Sequence, residues 1–436
     1  MYSTGGIADR FAHLMAAVEP RVSGPLPAAI RFWDGSELGP GELGTATDTV
    51  VLKSRKALQY VLMRPDQLGI ARGWVSGEIE LEGDLFRVMS AGARLYGFDF
   101  TPREKLDALA IAARIGAIRL PPPKPPSVEA RVGGRLHSLG RDRQAIQHHY
   151  DVSNEFYRMI LGPTMVYSCA YFASADDTLE EAQTRKLDVI CQKLALKEGE
   201  RMLDIGCGWG SLMVHAAANY GVRVVGVTLS EAQATYARRR IVEAGLADRC
   251  EVRIQDYREV ADGPYDKVVS VGMFEHVGSS QLDAYMEQVT SLTEPGGLAL
   301  HHGICRRHKE DDVPDTFIQR YVFPDGELHR VDKVIATAER AGQELRDAES
   351  LREHYALTLR HWVANLEANR DAAIADVGSE RERVWRLYMT ASALAFERGD
   401  VSIFQMLMAM PGEEPHPLGL ARPSFVREEV APIPAD

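Results

Sequence analysis

The sequence predicts an α/β protein in which a mostly parallel sheet with crossover helices follows a smaller α+β domain. Three observations predict it. From Arg201 onward, short apolar runs alternate with amphipathic ones: 201-RMLDIG-206 precedes 211-SLMVHAAANY-220, and 222-VRVVGVTL-229 precedes 231-EAQATYARRRIVEAG-245. That is the pattern of strands feeding crossover helices. A glycine-rich turn, 204-DIGCGWG-210, closes the first of these strands and opens a helix. Finally, 121-PPPKPPS-127 interrupts the chain with prolines that can continue neither a helix nor a strand ladder.

The elements follow in order. Before the prolines, 28-AAIRFW-33, 48-DTVVLK-53 and 77-GEIELEG-83 read as strands, and 56-KALQYVLM-63 and 102-PREKLDALAIAARIG-116 as helices. Beyond them, 250-CEVRIQD-256, 265-YDKVVSVG-272 and 297-GLALHHGI-304 add three strands, the last introduced by the turn 295-PGG-297. The chain thus divides into an α+β domain over 1–120, a linker over 121–143, a sheet domain over 144–410 and a flexible tail over 411–436 with PGEEPHP at its start. The linker carries five basic residues against two acidic ones. It is a solvated spacer or a patch for lipid phosphates.

Composition excludes several classes. With 436 residues and 45% hydrophobic content, the chain can bury a large core in two or three domains. No apolar run approaches the roughly 20 residues that span a bilayer, and MYSTGGIADR is unlike a secretory signal, so the expected compartment is the cytoplasm. Five cysteines without a C-x-x-C pair suit reduced thiols rather than disulfides or a zinc site, and no metal is expected. A formal charge of -12 opposes nucleic-acid binding, where a basic field supplies most of the affinity. Membrane contact, if made, is local.

The glycine turn lies where open α/β sheets bind ligands, and Gly206, Gly208 and Gly210 let a ligand approach the backbone. Its G-x-G-x-G spacing differs from that of dinucleotide folds. With the next strand and 255-QDY-257 it resembles the class I S-adenosylmethionine-dependent methyltransferases, which implies a Rossmann-like seven-stranded sheet. The segments 149-HYDVSNEFY-157, 167-YSCAYF-172, 226-GVTLSEAQ-233, 255-QDYRE-259 and 271-VGMFEHVG-278 narrow this further. They resemble the cyclopropane-fatty-acid synthase family, which includes the mycolic-acid cyclopropane synthases, over roughly residues 145 to 410. The domain before the linker is similar to that of the phospholipid-acting members.

The resemblance implies a chemistry: a methyl group passes from a sulfonium to a cis alkene, and the lipid chain becomes a carbocation. Such a site must exclude water and offer aromatic faces in place of nucleophiles. The family's base is a bound bicarbonate, and the matching positions are Cys169, Glu275, His302, the Ile304 backbone and Tyr355. For Glu275 to help hold an anion, one of the two must carry a proton. By the same resemblance Tyr167 and Ser168 meet the donor's carboxylate, and Asp204, Gly206, Cys207 and Gly208 border its amino-acid end. Thr228, Leu229 and Gln233 take the ribose, where Gln233 replaces the usual acidic residue. Gln255 and Asp256 match the adenine edge. Helical insertions over the sheet would form the lipid site.

Taken singly, these residues have plainer readings. Cys169 could be a small hydrophobe, Glu275 a helix cap, Tyr355 a core tyrosine and Asp256 a solvated strand end. One of His301 and His302 must be structural, because neighbours on a strand point to opposite faces. Many relatives carry a late cysteine where this chain has Ser392 in 391-ASALAF-396, which points away from a covalent enzyme intermediate. The expected product on an unsaturated phospholipid acyl chain is a cyclopropane, with a methylene branch as the alternative. A homodimer and peripheral membrane contact are implied by the resemblance. A nucleic-acid methyltransferase would favour an N/D-P-P-Y/F motif where this chain has SVGMFEHVG. A non-catalytic lipid-binding protein would not need both motif sets.

Overall fold

The computed structural model describes residues 2–3, 5–18, 28–39, 48–92, 101–117, 123–130, 152–307 and 316–412, with a few isolated positions besides. The tail beyond Gly412, most of 131–151 and the start of 149-HYDVSNEFY-157 lie outside the described residues. The chain divides into two compact units: Met1–Glu129 with Val313–Tyr321 and Gly378–Leu394, and Ala130–Asp312 with Val322–Val377 and Ala395–Asp436.

In the first unit, strands β1 (Tyr2–Ser3), β2 (Ala29–Arg31), β3 (Glu37–Gly39), β4 (Thr49–Leu52) and β5 (Ile79–Glu82) form a mixed sheet of order β1-β3-β2-β4-β5. Its helices begin where local chemistry dictates. Ser54 accepts the Lys56 N–H to start Arg55–Met63, and Thr101 with Glu104 forms a capping box around Pro102. Phe32, Leu38, Leu52, Leu58, Ile79 and Ile115 pack together as its core. The α+β reading holds, but the linear division at Pro121 does not describe this unit. Tyr60 Oη donates to Lys124 O at 2.7 Å, and Arg72 pairs with Glu129 at 2.7 Å, which ties the start of the proline-rich segment to the unit. From late in the chain, Arg383 accepts the Trp74 indole N–H on its carbonyl and pairs with Glu80.

The second unit is built on β6 (Arg201–Ile205), β7 (Arg223–Thr228), β8 (Cys250–Ile254), β9 (Tyr265–Val271), β10 (Thr293–Arg306), β12 (Glu344–Ser350) and β13 (Val401–Ala409), ordered β12-β13-β10-β9-β6-β7-β8. A two-residue strand, β11 (His329–Arg330), adds to β10. Strands β8 to β10 along this path are parallel, whereas β13 runs antiparallel between β10 and β12. Apolar clusters cover both faces: Leu187, Ile190, Met213 and Val224 belong to one, and Tyr265, Tyr285, Met286 and Val289 to the other. From β6 the chain moves outward through β7 to β8, then returns to place β9 on the other side of β6. That reversal opens a crevice at the C-terminal ends of β6 and β9, where open sheets of this kind bind ligands.

Candidate active site

A cavity occupies this crevice, and all eleven sequence-predicted donor residues line it: Tyr167, Ser168, Asp204, Gly206, Cys207, Gly208, Thr228, Leu229, Gln233, Gln255 and Asp256. Gly206 adopts φ +83°, and a Cβ there would come within 2.7 Å of Met273 Cγ. The turn therefore needs glycine both for its backbone and for room. Thr228 Oγ1 donates to Gln233 Oε1 at 2.9 Å, which fixes the amide at the end of β7. Asp256 is not simply solvated: it accepts the Arg258 N–H and pairs with the Arg258 guanidinium at 2.8 Å. Burial pushes the Asp204 carboxyl up to about 7, and nearby Lys186 opposes the shift.

None of the five residues assigned to the base lines that cavity. His301 and His302 face opposite sides of β10. His301 has both ring nitrogens partnered, Nδ1 with Tyr285 Oη at 3.3 Å and Nε2 with Gln343 Oε1 at 3.1 Å. His302 is fully buried; Gln405 Nε2 meets its Nδ1 at 3.3 Å, and its Nε2 has no hydrogen-bond partner among the described residues. Burial, with the charges of Lys186 and Lys193, holds its pKa well below the ordinary value. The ring is neutral. With the Gln405 amide donating to Nδ1, the ring proton sits on Nε2.

Glu275 follows β9 in the short turn Phe274–His276. It does not cap the next helix. Its Oε1 accepts the Ile304 N–H at 2.7 Å, its Oε2 is buried without a partner among the described residues, and burial raises its pKa to about 7. Gly303 lets this happen, because a Cβ there would meet the Phe274 ring at 2.4 Å. The Cys169 thiol is buried and its pKa is raised by burial, so it stays protonated. Its Sγ lies 3.2 Å from Ala170 O and 3.7 Å from Leu351 O, the two carbonyls that can accept its single S–H. The Tyr355 N–H bonds the same Leu351 carbonyl at 3.0 Å, which anchors Cys169 at the start of the helix Arg352–Ala368 that carries Tyr355.

Ring contacts run from the cavity to Tyr355. Trp209 lies 4.6 Å from Tyr157, Tyr157 5.6 Å from Tyr167, Tyr167 5.1 Å from Trp362, Trp362 5.9 Å from Tyr355, and Tyr355 4.8 Å from Phe396. Sequence reasoning missed several of these participants. Lys186 lines the cavity and donates to Ser168 Oγ at 2.9 Å. Its signal was its position, because a lysine here occupies the apolar stripe of the helix Leu179–Lys193. Gln405, which orients His302, gave a weaker signal as one polar residue within 401-VSIFQMLMA-409.

Comparison with known proteins agrees with this architecture. A family model described as “Mycolic acid cyclopropane synthetase” matches residues 137–406. A “Probable fatty acid methyltransferase” of Mycobacterium tuberculosis is 39% identical over 397 residues, which cover 88% of this chain and 91% of the relative. The cyclopropane-fatty-acyl-phospholipid synthase of Escherichia coli is 39% identical over 281 residues, covering 64% of this chain and 71% of the relative. Among solved structures, the mycolic acid cyclopropane synthase CmaA1 complexed with SAH and CTAB superposes with a TM-score of 0.58 at 35% identity, over 61% of this chain and 98% of that one. The fold is that of the class I methyltransferases.

Proposed function

The chain belongs to the mycolic acid cyclopropane synthetase family, and from that premise we propose that it acts on the cis double bond of an unsaturated phospholipid acyl chain and leaves a cyclopropane. The coarser activity is that of the family: an S-adenosylmethionine-dependent methyltransferase of the cyclopropane synthase type, working on lipid acyl chains. The observation that supports a carbocation on the acyl chain, the step common to a cyclopropane and a methylene branch, is the run of aromatic rings from Trp209 to Phe396. Rings attract a cation without trapping it, and their packing keeps water from a carbocation in the chain.

Bound S-adenosylmethionine would supply the electrophilic methyl and bound bicarbonate the base. The residues fit both groups. Tyr167 and Ser168, the turn from Asp204 to Gly208, Thr228 to Gln233, and Gln255 with Asp256 would hold the donor. A protonated nitrogen at His302 Nε2 and an oxygen at Glu275 Oε2, both buried and without a partner among the described residues, suit a small oxyanion that itself carries a proton. The Cys169 thiol and Tyr355 would complete that ring, and the Ile304 N–H would have to be shared with Glu275 Oε1. Because Cys169 stays protonated and Ser392 stands where relatives have a cysteine, no covalent enzyme intermediate is proposed.

Access to a membrane lipid calls for local docking at the inner face of the bilayer. Among the described residues no helix is long and apolar enough to cross a membrane. Of the seven exposed large apolar side chains among the described residues, five, Met63, Ile70, Leu106, Leu109 and Ile318, belong to the first unit. We assign that unit to bilayer contact or to subunit pairing in a homodimer. The test is incubation of the full chain with methyl-labelled S-adenosylmethionine and vesicles of cis-monounsaturated or saturated phospholipid, followed by NMR of the extracted lipid. A ring methylene signal confined to the unsaturated vesicles is expected. An exocyclic methylene signal would replace the product by its branched alternative, and label in nucleic acid or in neither lipid would defeat the reading.

A further inference from the structure

The helix Leu179–Lys193 opens with a capping box from Thr178 and Glu181 and buries Ala182, Leu187, Ile190 and Cys191 on its inner face. Lys186 sits on the same stripe and is 2% exposed. Burying an ammonium is costly unless an anion or a full set of acceptors meets it. Lys186 has neither, because Ser168 Oγ, at 2.9 Å, is its hydrogen-bond acceptor and it makes no ion pair among the described residues. An ammonium has three N–H donors and no acceptor, so two donors are left over in the wall of the cavity.

Seven residues on, Lys193 shows how this fold treats a lysine that is purely structural. It is fully buried, and its Nζ lies 2.5 Å from Glu349 and 3.4 Å from Asp347. Around Lys186 the charged or titratable neighbours are Asp204, Cys169, Cys191 and His302. Two of these are buried thiols and one a neutral imidazole, and Asp204 is close enough to feel the charge but forms no ion pair with it among the described residues. An unmatched positive group and an unmatched carboxyl thus share one end of the cavity. This is the complement of a zwitterionic amino acid, whose ammonium suits Asp204 and whose carboxylate suits Lys186.

We propose that Lys186 is the counter-charge for the carboxylate of bound S-adenosylmethionine, a binding and positioning residue acting beside Tyr167 and Ser168. The assignment rests on the reading of the cavity as the donor site. It favours the donor carboxylate over bicarbonate because Lys186 lines the cavity, which Glu275, His302 and Ile304 do not. Placed at the amino-acid end, the charge would anchor the donor by its tail and leave the sulfonium directed away from it.

Calorimetry with S-adenosylhomocysteine and its carboxamide, which is nearly the same shape without the negative charge, separates the possibilities. Wild type is expected to bind the acid roughly 10- to 100-fold more tightly than the amide, the scale of a buried charge-assisted contact. In Lys186→Met and Lys186→Gln, the acid should lose roughly that factor while the amide changes little, and Lys186→Arg should keep the preference. Equal wild-type affinity for acid and amide would overturn the proposal, and that comparison stands even if the Met and Gln variants fold poorly. Equal losses for both ligands, which would mean structural support alone, would also overturn it. So would unchanged acid binding with an altered bicarbonate requirement, which would hand the lysine to the other anion. Failure of wild type to bind either compound would instead count against the cavity as the donor site.

Discussion

The donor cavity and the cluster around His302 share one sheet but differ in how their polar atoms are satisfied. At the ends of β7 and β8, Thr228 already bonds Gln233 and Asp256 already pairs with Arg258, so most of the cavity wall is fixed before any ligand arrives. Around β10, His302 Nε2 and Glu275 Oε2 are buried with no partner among the described residues. Unsatisfied groups of this kind cost on the order of 1–3 kcal/mol each, and they persist where a ligand completes them. The difference teaches that binding of the donor and chemistry on the lipid should be separable by mutation. Lys186, with three donors and Ser168 Oγ as its acceptor among the described residues, departs from that pattern on the donor side, which is why it is informative.

The largest expected effect breaks one region and spares the other. Replacing Glu275 and His302 together by Ala removes both orphaned atoms, and turnover on vesicles should fall by roughly a thousandfold or more, the scale of lost acid–base and electrostatic stabilisation. Affinity for S-adenosylhomocysteine should stay within about threefold, since neither residue lines the donor cavity. Full turnover in this double variant would remove the cluster from the mechanism.

A second effect is thermodynamic and depends on pH. Glu275 has an ordinary pKa of 4.5 and a folded value of about 7, raised by burial. Below 4.5 both folded and unfolded chains hold the proton. Between the two values the unfolded chain is ionised and the folded one is not, so stability falls as pH rises, by about 1.4 kcal/mol per unit. Above the folded value the penalty is constant. Glu275→Gln abolishes this window, so the variant should exceed wild type by roughly 3 kcal/mol at pH 8, with the gain vanishing near pH 4.5. Asp204 shifts in the same direction but is present in both proteins and cancels. Urea denaturation at the two pH values measures it, and a gain that does not vary with pH would mean that the carboxyl is not held neutral. The same variant should turn over poorly, which pairs lost activity with gained stability.

The strands β6 to β10 and the glycine turn at the end of β6 were legible because their signals are local, whereas the remaining donor residues, from Tyr167 to Asp256, were assigned by family resemblance. The base cluster was not legible from spacing. Its residues come from 169 to 355, and the family resemblance, not periodicity, brought them together. The partners of His301 then distinguish it from His302 in the structure. Strand β12 escaped because Glu344–Ser350 is an edge strand rich in charge, with little apolar alternation to announce it. The mixing of 378–394 into the first unit escaped for a different reason. The contact of Arg383 with Trp74 joins residues more than three hundred apart, and no local pattern encodes such a partner.

The smallest effect sharpens the comparison within the cluster itself. His302, Gln405 and Glu349 lie opposite one another across β10, β13 and β12, and Gln405 is the member that decides which nitrogen of His302 bears the proton. Its amide donates to Nδ1 at 3.3 Å, which leaves Nε2 as the donor, without a partner among the described residues. Gln405→Leu keeps the volume and removes that constraint. Nδ1 then loses its partner, and the two neutral tautomers draw closer in energy by about the worth of one hydrogen bond, roughly 1 kcal/mol. The expected result is a fall in kcat of roughly five- to tenfold, with KM for S-adenosylmethionine unchanged because the donor wall is untouched. Nitrogen NMR of labelled His302 should show the Nε2–H form in wild type and a mixture in the variant. A pure Nε2–H signal in both, with kcat reduced, would mean that Gln405 acts by packing alone and that the tautomer is set elsewhere.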